Sequence, residues 1–137
     1  MHELTLDTAK EIVDAAERRA AEIDVPMCVA VADEGGNLVA FHRMDGALLA
    51  SIDIARNKAY SSVAMRMETQ TIQEVSQPGE SLYGLGTTND GRIVTFGGGL
   101  PLEDDDGTVV GGVGVSGGSA DEDVDVAEAG VDAFERS

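Results

Sequence analysis

The chain has 137 residues, enough for one domain with a hydrophobic core, and its single cysteine excludes an internal disulfide or a metal site built from several cysteines. Nine basic residues against 26 acidic ones give a net charge of −17, so we expect no nucleic-acid partner, because no basic patch could offset phosphate repulsion. No apolar run reaches the roughly 18 residues of a membrane helix and no apolar signal region opens the chain, so we expect a cytoplasmic protein with no membrane partner.

The acidic residues are spread along the whole chain, whereas lysine occurs only as Lys10 and Lys58. An acidic interaction surface or an acidic tail would instead concentrate the acids in one region. In molar salt the Debye length falls to about 3 Å, and repulsion between the acids fades. We therefore interpret this composition as adaptation to concentrated salt.

The first third of the chain predicts a helix followed by a hairpin. Residues 6–23 repeat apolar side chains at helical spacing, with a candidate capping box from Thr8 to Glu11. Residues 27–32 form a short apolar run around Cys28, which is typical of a strand covered on both faces. The glycine-containing turn that follows and the strand at residues 38–42 complete an antiparallel hairpin.

Residues 47–65 predict the next helix, with Asp45 as its N-cap. Two faces of this helix carry different residues. The predicted buried stripe consists of Leu48, Ile52, Ala59 and Val63. The other face carries Ser51, Ala55, Lys58 and Ser62. Because small residues flank the lysine on that second face, we expect space for a ligand beside its ammonium group.

The second half predicts a short helix, strands and a final helix. The short helix covers residues 68–75 and is followed by a loop of functional length at residues 79–89. Strands are expected at residues 92–96, around residues 100–102, and at residues 108–116, the last of them rich in glycine. Interior glycines in a strand indicate close approach of another backbone or of a ligand. A capping box from Ser119 to Glu122 predicts the start of the final helix.

Two hairpins separated by helices favour an α+β fold, in which an antiparallel sheet has helices packed on it. The apolar first strand suggests helices on both faces of that sheet and therefore three layers, α/β/α. We find no internal repeat and no linker, so residues 1–137 are predicted to form one domain.

Several segments together resemble the GlcG/HbpS-type haem-binding family, whose domain also forms the C-terminal part of PduO-type corrinoid adenosyltransferases. The resemblance covers nearly the whole chain. It rests on Ala30-Val-Ala-Asp-Glu-Gly-Gly-Asn-Leu38, Arg43-Met-Asp-Gly-Ala47, Arg56-Asn-Lys-Ala59, Gly97-Gly-Gly-Leu-Pro101 and Gly111-Gly-Val-Gly-Val-Ser-Gly117. It implies a profilin-like fold with a five-stranded antiparallel sheet, assembly into dimers or larger homo-oligomers, and haem or corrinoid-related binding in some members.

The candidate ligand site combines the segment after the hairpin, the Lys58 face and the glycine clusters. Its predicted ligand-binding residues are Arg43, Met44, Asp45, Lys58, Gly97, Gly98, Ser116 and Gly117. Asp45 and Arg43 have a structural alternative, as a helix cap and an ion pair. The alternative for Lys58 is a buried ion pair with Asp45 or another carboxylate.

Two functions remain open from the sequence. The first is a cytoplasmic small-ligand-binding protein that takes haem or a related tetrapyrrole, with Arg43 or Lys58 on the propionates. His42 is the best internal candidate for the iron ligand in that case, and its structural alternative is a half-exposed histidine on a strand. The other candidate ligands are His2, Cys28, Met44, Tyr60 and Tyr83. The second function is a small-molecule enzyme in which Asp45 and Lys58 act as an acid/base pair on a carboxylate-bearing metabolite.

Overall fold

The computed structural model describes residues 2–137, so the predicted domain boundary at Met1 lies outside the described residues. The fold is α+β. The helices are α1 (Leu6–Glu22), α2 (Ala50–Met65), α3 (Thr69–Val75) and α4 (Ala120–Glu135). The strands are β1 (Cys28–Asp33), β2 (Leu38–Arg43), β3 (Gly99–Glu103) and β4 (Val109–Ser116). Two short 3₁₀ turns, Leu85–Thr87 and Asn89–Gly91, lie in the long loop before β3.

The four strands form one antiparallel sheet in the order β2-β1-β4-β3. β1 lies between β2 and β4, with Val31 opposite Val113 in the β1–β4 pair. Both hairpins therefore pair as predicted, and β2 and β3 form the outer positions of the sheet, next to β1 and β4.

The predicted fifth strand at residues 92–96 is wrong, because this segment bonds to a helix side chain instead of a neighbouring strand. The Val94 amide donates to Ser61 Oγ at 2.8 Å, and Ser61 Oγ donates to the Arg92 carbonyl at 3.0 Å. Ile93 is buried, so its apolar character reflects packing rather than a sheet position. Between residues 2 and 137 the sheet accordingly has four strands and not five.

Helices cover both faces of the sheet, as the buried β1 predicts. Val29 and Val31 contribute to the core that α1 and α4 share with the sheet. Ala30 and Ala32, which alternate with them, pack with Ala55 and Ala59 of α2 on the other face. The strand is thus buried on both sides, and the molecule has three layers.

Helix α2 begins three residues later than predicted, and Asp45 is not its N-cap. Asp45 and Gly46 instead form a turn in which the Ala47 amide donates to the Met44 carbonyl at 3.1 Å and Gly46 adopts φ +85°. The helix starts after Leu49, a position without a side-chain cap. The predicted buried stripe is also wrong at its start, since Leu48 is 64% exposed.

The face of α2 that is buried is the small and polar one. Its buried residues are Ser51, Ala55, Lys58, Ala59, Ser61 and Ser62. This face lies directly on glycines of β4: a Cβ at Gly112 would come within 2.7 Å of the Ala59 carbonyl, and one at Gly114 would collide with the Ala55 carbonyl. The interior glycines of β4 were expected to allow close approach of either a backbone or a ligand, and the structure shows close approach of the α2 backbone.

The two long outer helices begin with side-chain caps. In α1 the N-cap is Thr5, whose Oγ1 accepts from the Thr8 amide at 3.1 Å. The predicted capping box that begins at Thr8 is therefore wrong, because the helix is already capped at Thr5. In α4 the predicted capping box is confirmed, because Ser119 and Glu122 exchange side-chain and backbone hydrogen bonds.

Candidate functional site

The ammonium group of Lys58 is fully buried and already has partners. Its Nζ donates to Asp123 Oδ2 at 3.0 Å and to the Val115 carbonyl at 2.7 Å, and it lies 5.0 Å from the centroid of the Phe96 ring. The other carboxylate oxygen of Asp123 accepts from the Gly118 amide at 2.9 Å. This ion pair links α2 to the first turn of α4 past the end of β4.

Burial is the largest influence on both charges of this pair. It lowers the pKa of Lys58 and raises the pKa of Asp123, while the attraction between the two groups opposes both shifts. Desolvation therefore pushes both groups toward their neutral forms, and their contact offsets part of that cost.

The glycine clusters close over the ion pair. A Cβ at Gly98 would come within 2.6 Å of Lys58 Nζ, and the Gly98 carbonyl accepts from the Val115 amide at 2.9 Å. Ser116 Oγ donates to Ser51 Oγ at 3.0 Å inside the same interface. Of the predicted site residues, Lys58, Gly98 and Ser116 thus lie in a packed interface, not beside open space for a ligand. Gly97 and Gly117 pack against other neighbours, since a Cβ at Gly97 would meet Val124 and one at Gly117 would meet the Pro26 carbonyl.

Asp45 is not the partner of Lys58. Its side chain is exposed, whereas Lys58 has no accessible surface and pairs with Asp123. The acid/base pair that the enzyme hypothesis requires is therefore not formed. The buried-pair alternative for Lys58 is the one observed, with a carboxylate that is 65 positions away in sequence.

The other predicted site residues line a surface groove between α1 and the end of β2, which we call the α1–β2 groove. It has a volume of about 480 Å³, within the usual range for ligand sites of roughly 300–1,000 Å³. Met44 is half-buried here, and its Sδ accepts from the Met27 amide at 3.4 Å. The lining residues are Glu17, Arg18, Ala21, Arg43, Met44 and Asp45.

His42 lies beside this groove and is oriented by a carboxylate from α1. Its Nδ1 is 2.8 Å from Glu17 Oε1, and 48% of its side chain is exposed. No described residue forms a hydrogen bond with Nε2. Glu17 and Arg18 were not predicted as site residues, because only the packing of α1 beside β2 brings them to His42 and Arg43.

The remaining candidate iron ligands have other contacts or surroundings. Both ring nitrogens of His2 are engaged, Nδ1 with Asp105 Oδ1 at 2.8 Å and Nε2 with the Glu135 carbonyl at 2.6 Å. Cys28 is buried, and burial raises the pKa of its thiol. Tyr60 donates to Asn89 Oδ1 at 2.9 Å, while Tyr83 is exposed on the long loop.

Within residues 2–137 we find no cluster of three or more histidine, cysteine or acidic side chains that would hold a metal ion by themselves. None of the helices in that range combines the length and apolar character needed to cross a bilayer.

A four-stranded antiparallel sheet with helices on both faces places the chain among small three-layer α+β domains. Within that class, residues 4–132 match the family model described as haem degrading protein HbpS-like. The chain belongs to this family, which confirms the resemblance seen in its glycine-rich motifs.

Three related proteins illustrate the match. An uncharacterized 15.0 kDa protein from the dhaT–dhaS intergenic region of Citrobacter freundii is 48% identical over 131 residues, covering 96% of this chain and 92% of that protein. The corrinoid adenosyltransferase PduO of Salmonella typhimurium is 40% identical over 131 residues, again 96% of this chain but only 39% of PduO. The crystal structure of a PduOC–haem complex superposes with a TM-score of 0.92 at 40% identity, covering 96% of this chain and 94% of that one.

Proposed function

We propose that this protein binds haem or a related tetrapyrrole in the α1–β2 groove. The observation that carries the proposal is the pairing of His42 with Glu17 at the side of a groove of suitable volume. It is supported by the 40% identity to a domain crystallised with haem.

The Glu17–His42 pair has the arrangement expected of a histidine prepared for a metal. Ligating histidines generally donate their second ring N–H to a carboxylate, which fixes the tautomer and makes the ligating nitrogen more basic. With Nδ1 held by Glu17, the nitrogen left for iron is Nε2. Bound haem would supply the iron chemistry, while the chain supplies an axial nitrogen and the surrounding charges.

The groove also contains groups that suit the rest of a tetrapyrrole. Arg18 and Arg43 provide positive charge for propionates, and half-buried Met44 provides apolar surface. Glu17 is engaged by His42, which leaves Asp45 as the lining carboxylate without a described ion pair. Lys58 is assigned to the ion pair with Asp123 and has no part in this proposal.

Haemin titration followed by visible absorption, in high salt, tests the proposal. We expect a saturable, shifted Soret band for the wild type, and loss of the shift in His42→Ala. The matched control is His2→Ala, since His2 is the only other histidine and both its nitrogens have protein partners. Glu17→Gln should keep binding but weaken it, by roughly the 10- to 100-fold typical of lost outer-shell partners.

Wild-type protein that gives only the broad spectrum of free haemin would remove haem as the ligand. An unchanged Soret shift in His42→Ala would disprove the assignment of the iron ligand. Location in the cytoplasm and assembly into a dimer or larger homo-oligomer stay predictions.

A further inference from the structure

A second, smaller pocket lies on the α2 side of the molecule. Its volume is about 100 Å³, which suits a single charged group better than a whole cofactor. Its polar lining comes from α2 and from the start of the segment after the 3₁₀ turns. The residues that matter are Arg56, Asn57, Tyr60 and Arg92, together with the apolar Ala32 and Leu38.

The Arg92 side chain is held in position at this pocket. Its guanidinium lies over the Tyr60 ring, 4.0 Å from the ring centroid, and its Nε donates to the Asn89 carbonyl at 3.1 Å. The Tyr60 hydroxyl donates to Asn89 Oδ1 at 2.9 Å, which fixes the ring beneath the guanidinium. Stacking of this kind leaves the terminal N–H groups of an arginine free to bind a planar or tetrahedral anion.

Arg56 brings a second guanidinium to the same pocket from an exposed position on α2. No described carboxylate lies within ion-pair distance of Arg56 or Arg92. The chain carries 26 acidic residues, yet none of them lines this pocket. By contrast, the α1–β2 groove includes Glu17 and Asp45, and the larger neighbouring cavity includes Glu34.

We propose that the pocket between Arg56 and Arg92 binds an oxoanion, as the phosphate or carboxylate group of a small metabolite. Two guanidinium forks with an amide from Asn57 match the acceptor geometry of such a group, and charge-assisted hydrogen bonds to arginine are among the stronger ones in proteins. The neighbouring cavity of about 420 Å³ shares Gly36 and Tyr60 with this pocket, so it offers space for the uncharged part of the ligand. This site is separate from the proposed tetrapyrrole groove.

Titration of the full chain with inorganic phosphate and, separately, with acetate at constant ionic strength tests this proposal. Backbone amide and arginine side-chain resonances are followed by NMR. We expect saturable shifts at Asn57, Tyr60 and Arg92 with at least one probe. The probe that saturates at the lower concentration identifies the oxoanion as phosphate or carboxylate.

Arg56→Gln should weaken the affinity for that probe by roughly tenfold or more, as expected when a hydrogen bond to a charged group is lost. The matched control, Arg136→Gln, removes the same charge from an exposed position at the end of α4. Arg56 is exposed on its helix, so its replacement should leave the unfolding midpoint unchanged. Arg92→Gln removes the other guanidinium that lines the pocket and should likewise weaken the affinity for the probe.

Three results would overturn the proposal: no saturable shift with either probe, equal weakening in Arg56→Gln and Arg136→Gln, or displacement of the bound probe by haemin. The last result would mean that the arginine pocket belongs to the tetrapyrrole site. Failure of haemin binding alone would leave the anion titration unaffected, so the two proposals fail independently.

Discussion

Lys58 and Asp123 are two charges removed from water, and their contact is therefore costly to disturb. Lys58 has no accessible surface and Asp123 has almost none. Each carboxylate oxygen and the ammonium group has a described partner. Removing one member of such a pair leaves the other charge buried without compensation, which is more damaging than losing both.

We expect Lys58→Met to reduce the free energy of unfolding by about 3–5 kcal/mol at neutral pH. This loss of unfolding free energy should be smaller in acid than at neutral pH. Burial raises the pKa of Asp123 above its ordinary value of 3.8, and removing Lys58 removes an influence that lowers it. A group with a raised folded-state pKa stabilises the fold below its unfolded pKa, and this stabilisation is lost as the pH rises through the folded value. Urea unfolding at several pH values measures the effect.

Two variants control this experiment. Lys10→Met removes the only other lysine, from an exposed position on α1, and should change the unfolding free energy by no more than about 0.5 kcal/mol. Lys58→Met combined with Asp123→Asn should cost less than Lys58→Met alone. Equal costs for the single and the double variant would show that the pair is not the source of the effect.

The sequence indicates that Lys58 is unusual but does not identify its partner. Asp123 follows the capping serine of α4 among three acids, a position fully explained by the helix dipole. The contact between Glu17 and His42 is equally impossible to predict from the sequence, since it depends on where α1 crosses β2. Pairs of this kind depend on tertiary packing, and local patterns carry no signal for them.

At the scale of elements, the contact between α2 and β4 explains why both are rich in small residues. The buried face of the helix rests on Gly112 and Gly114, so its backbone approaches the strand more closely than any side chain would allow. The spacing of Ser51, Ala55, Lys58 and Ser62 was correctly read as one face. The interpretation of that face as open was wrong, because small side chains favour close packing as readily as they leave space.

Gly114→Ala should therefore destabilise the fold by at least the roughly 1–3 kcal/mol typical of overpacking. The added methyl group would meet the Ala55 carbonyl, a backbone atom that only moves if α2 shifts. The matched control is Gly86→Ala in the long loop, where the nearest atoms would be 3.5 Å and 3.6 Å away and φ is not positive. Similar unfolding midpoints for the two variants would contradict close packing of α2 on β4.

The segment at residues 92–96 shows the same limit of local patterns. Its apolar residues suit a strand, but Ser61 provides the hydrogen bonds that a strand would have needed from a neighbour. The hairpins and the capped start of α4 were predictable because glycine turns and capping boxes are encoded in adjacent residues. The role of Ser61, a buried helix serine that takes the place of a neighbouring strand, is not encoded in adjacent residues and could not be predicted.

For the whole molecule, the α+β class and the family were predictable, and the number of strands was not. The burial of β1 on both faces implied two helix layers. A profilin-like arrangement stays a prediction. The motifs that carried the resemblance lie mostly in turns and in the α2–β4 contact, so they report the fold more directly than they report a ligand.

The net charge of −17 predicts that stability depends on salt. Few of the 26 acidic residues have a described ion pair, and those that do are mainly Glu17, Glu22, Asp105, Asp123 and Asp125. The remaining acids repel one another, and a compact chain suffers more from this repulsion than an extended one. Screening shortens the Debye length from about 10 Å at 0.1 M salt to about 3 Å at 1 M, comparable to the separation of neighbouring side chains.

We therefore expect the unfolding midpoint to rise steeply between about 0.1 M and 1 M KCl and then to level off as screening saturates. If KCl acted instead by exclusion from the protein surface, the midpoint would keep rising with concentration, because excluded salts continue to strengthen hydrophobic burial as their concentration increases. Thermal unfolding in KCl, compared with sucrose solutions that carry no charge, separates the two. Equal midpoints at about 0.1 M and 3 M KCl would contradict adaptation to salt, since unscreened repulsion would then contribute nothing to the stability of this fold.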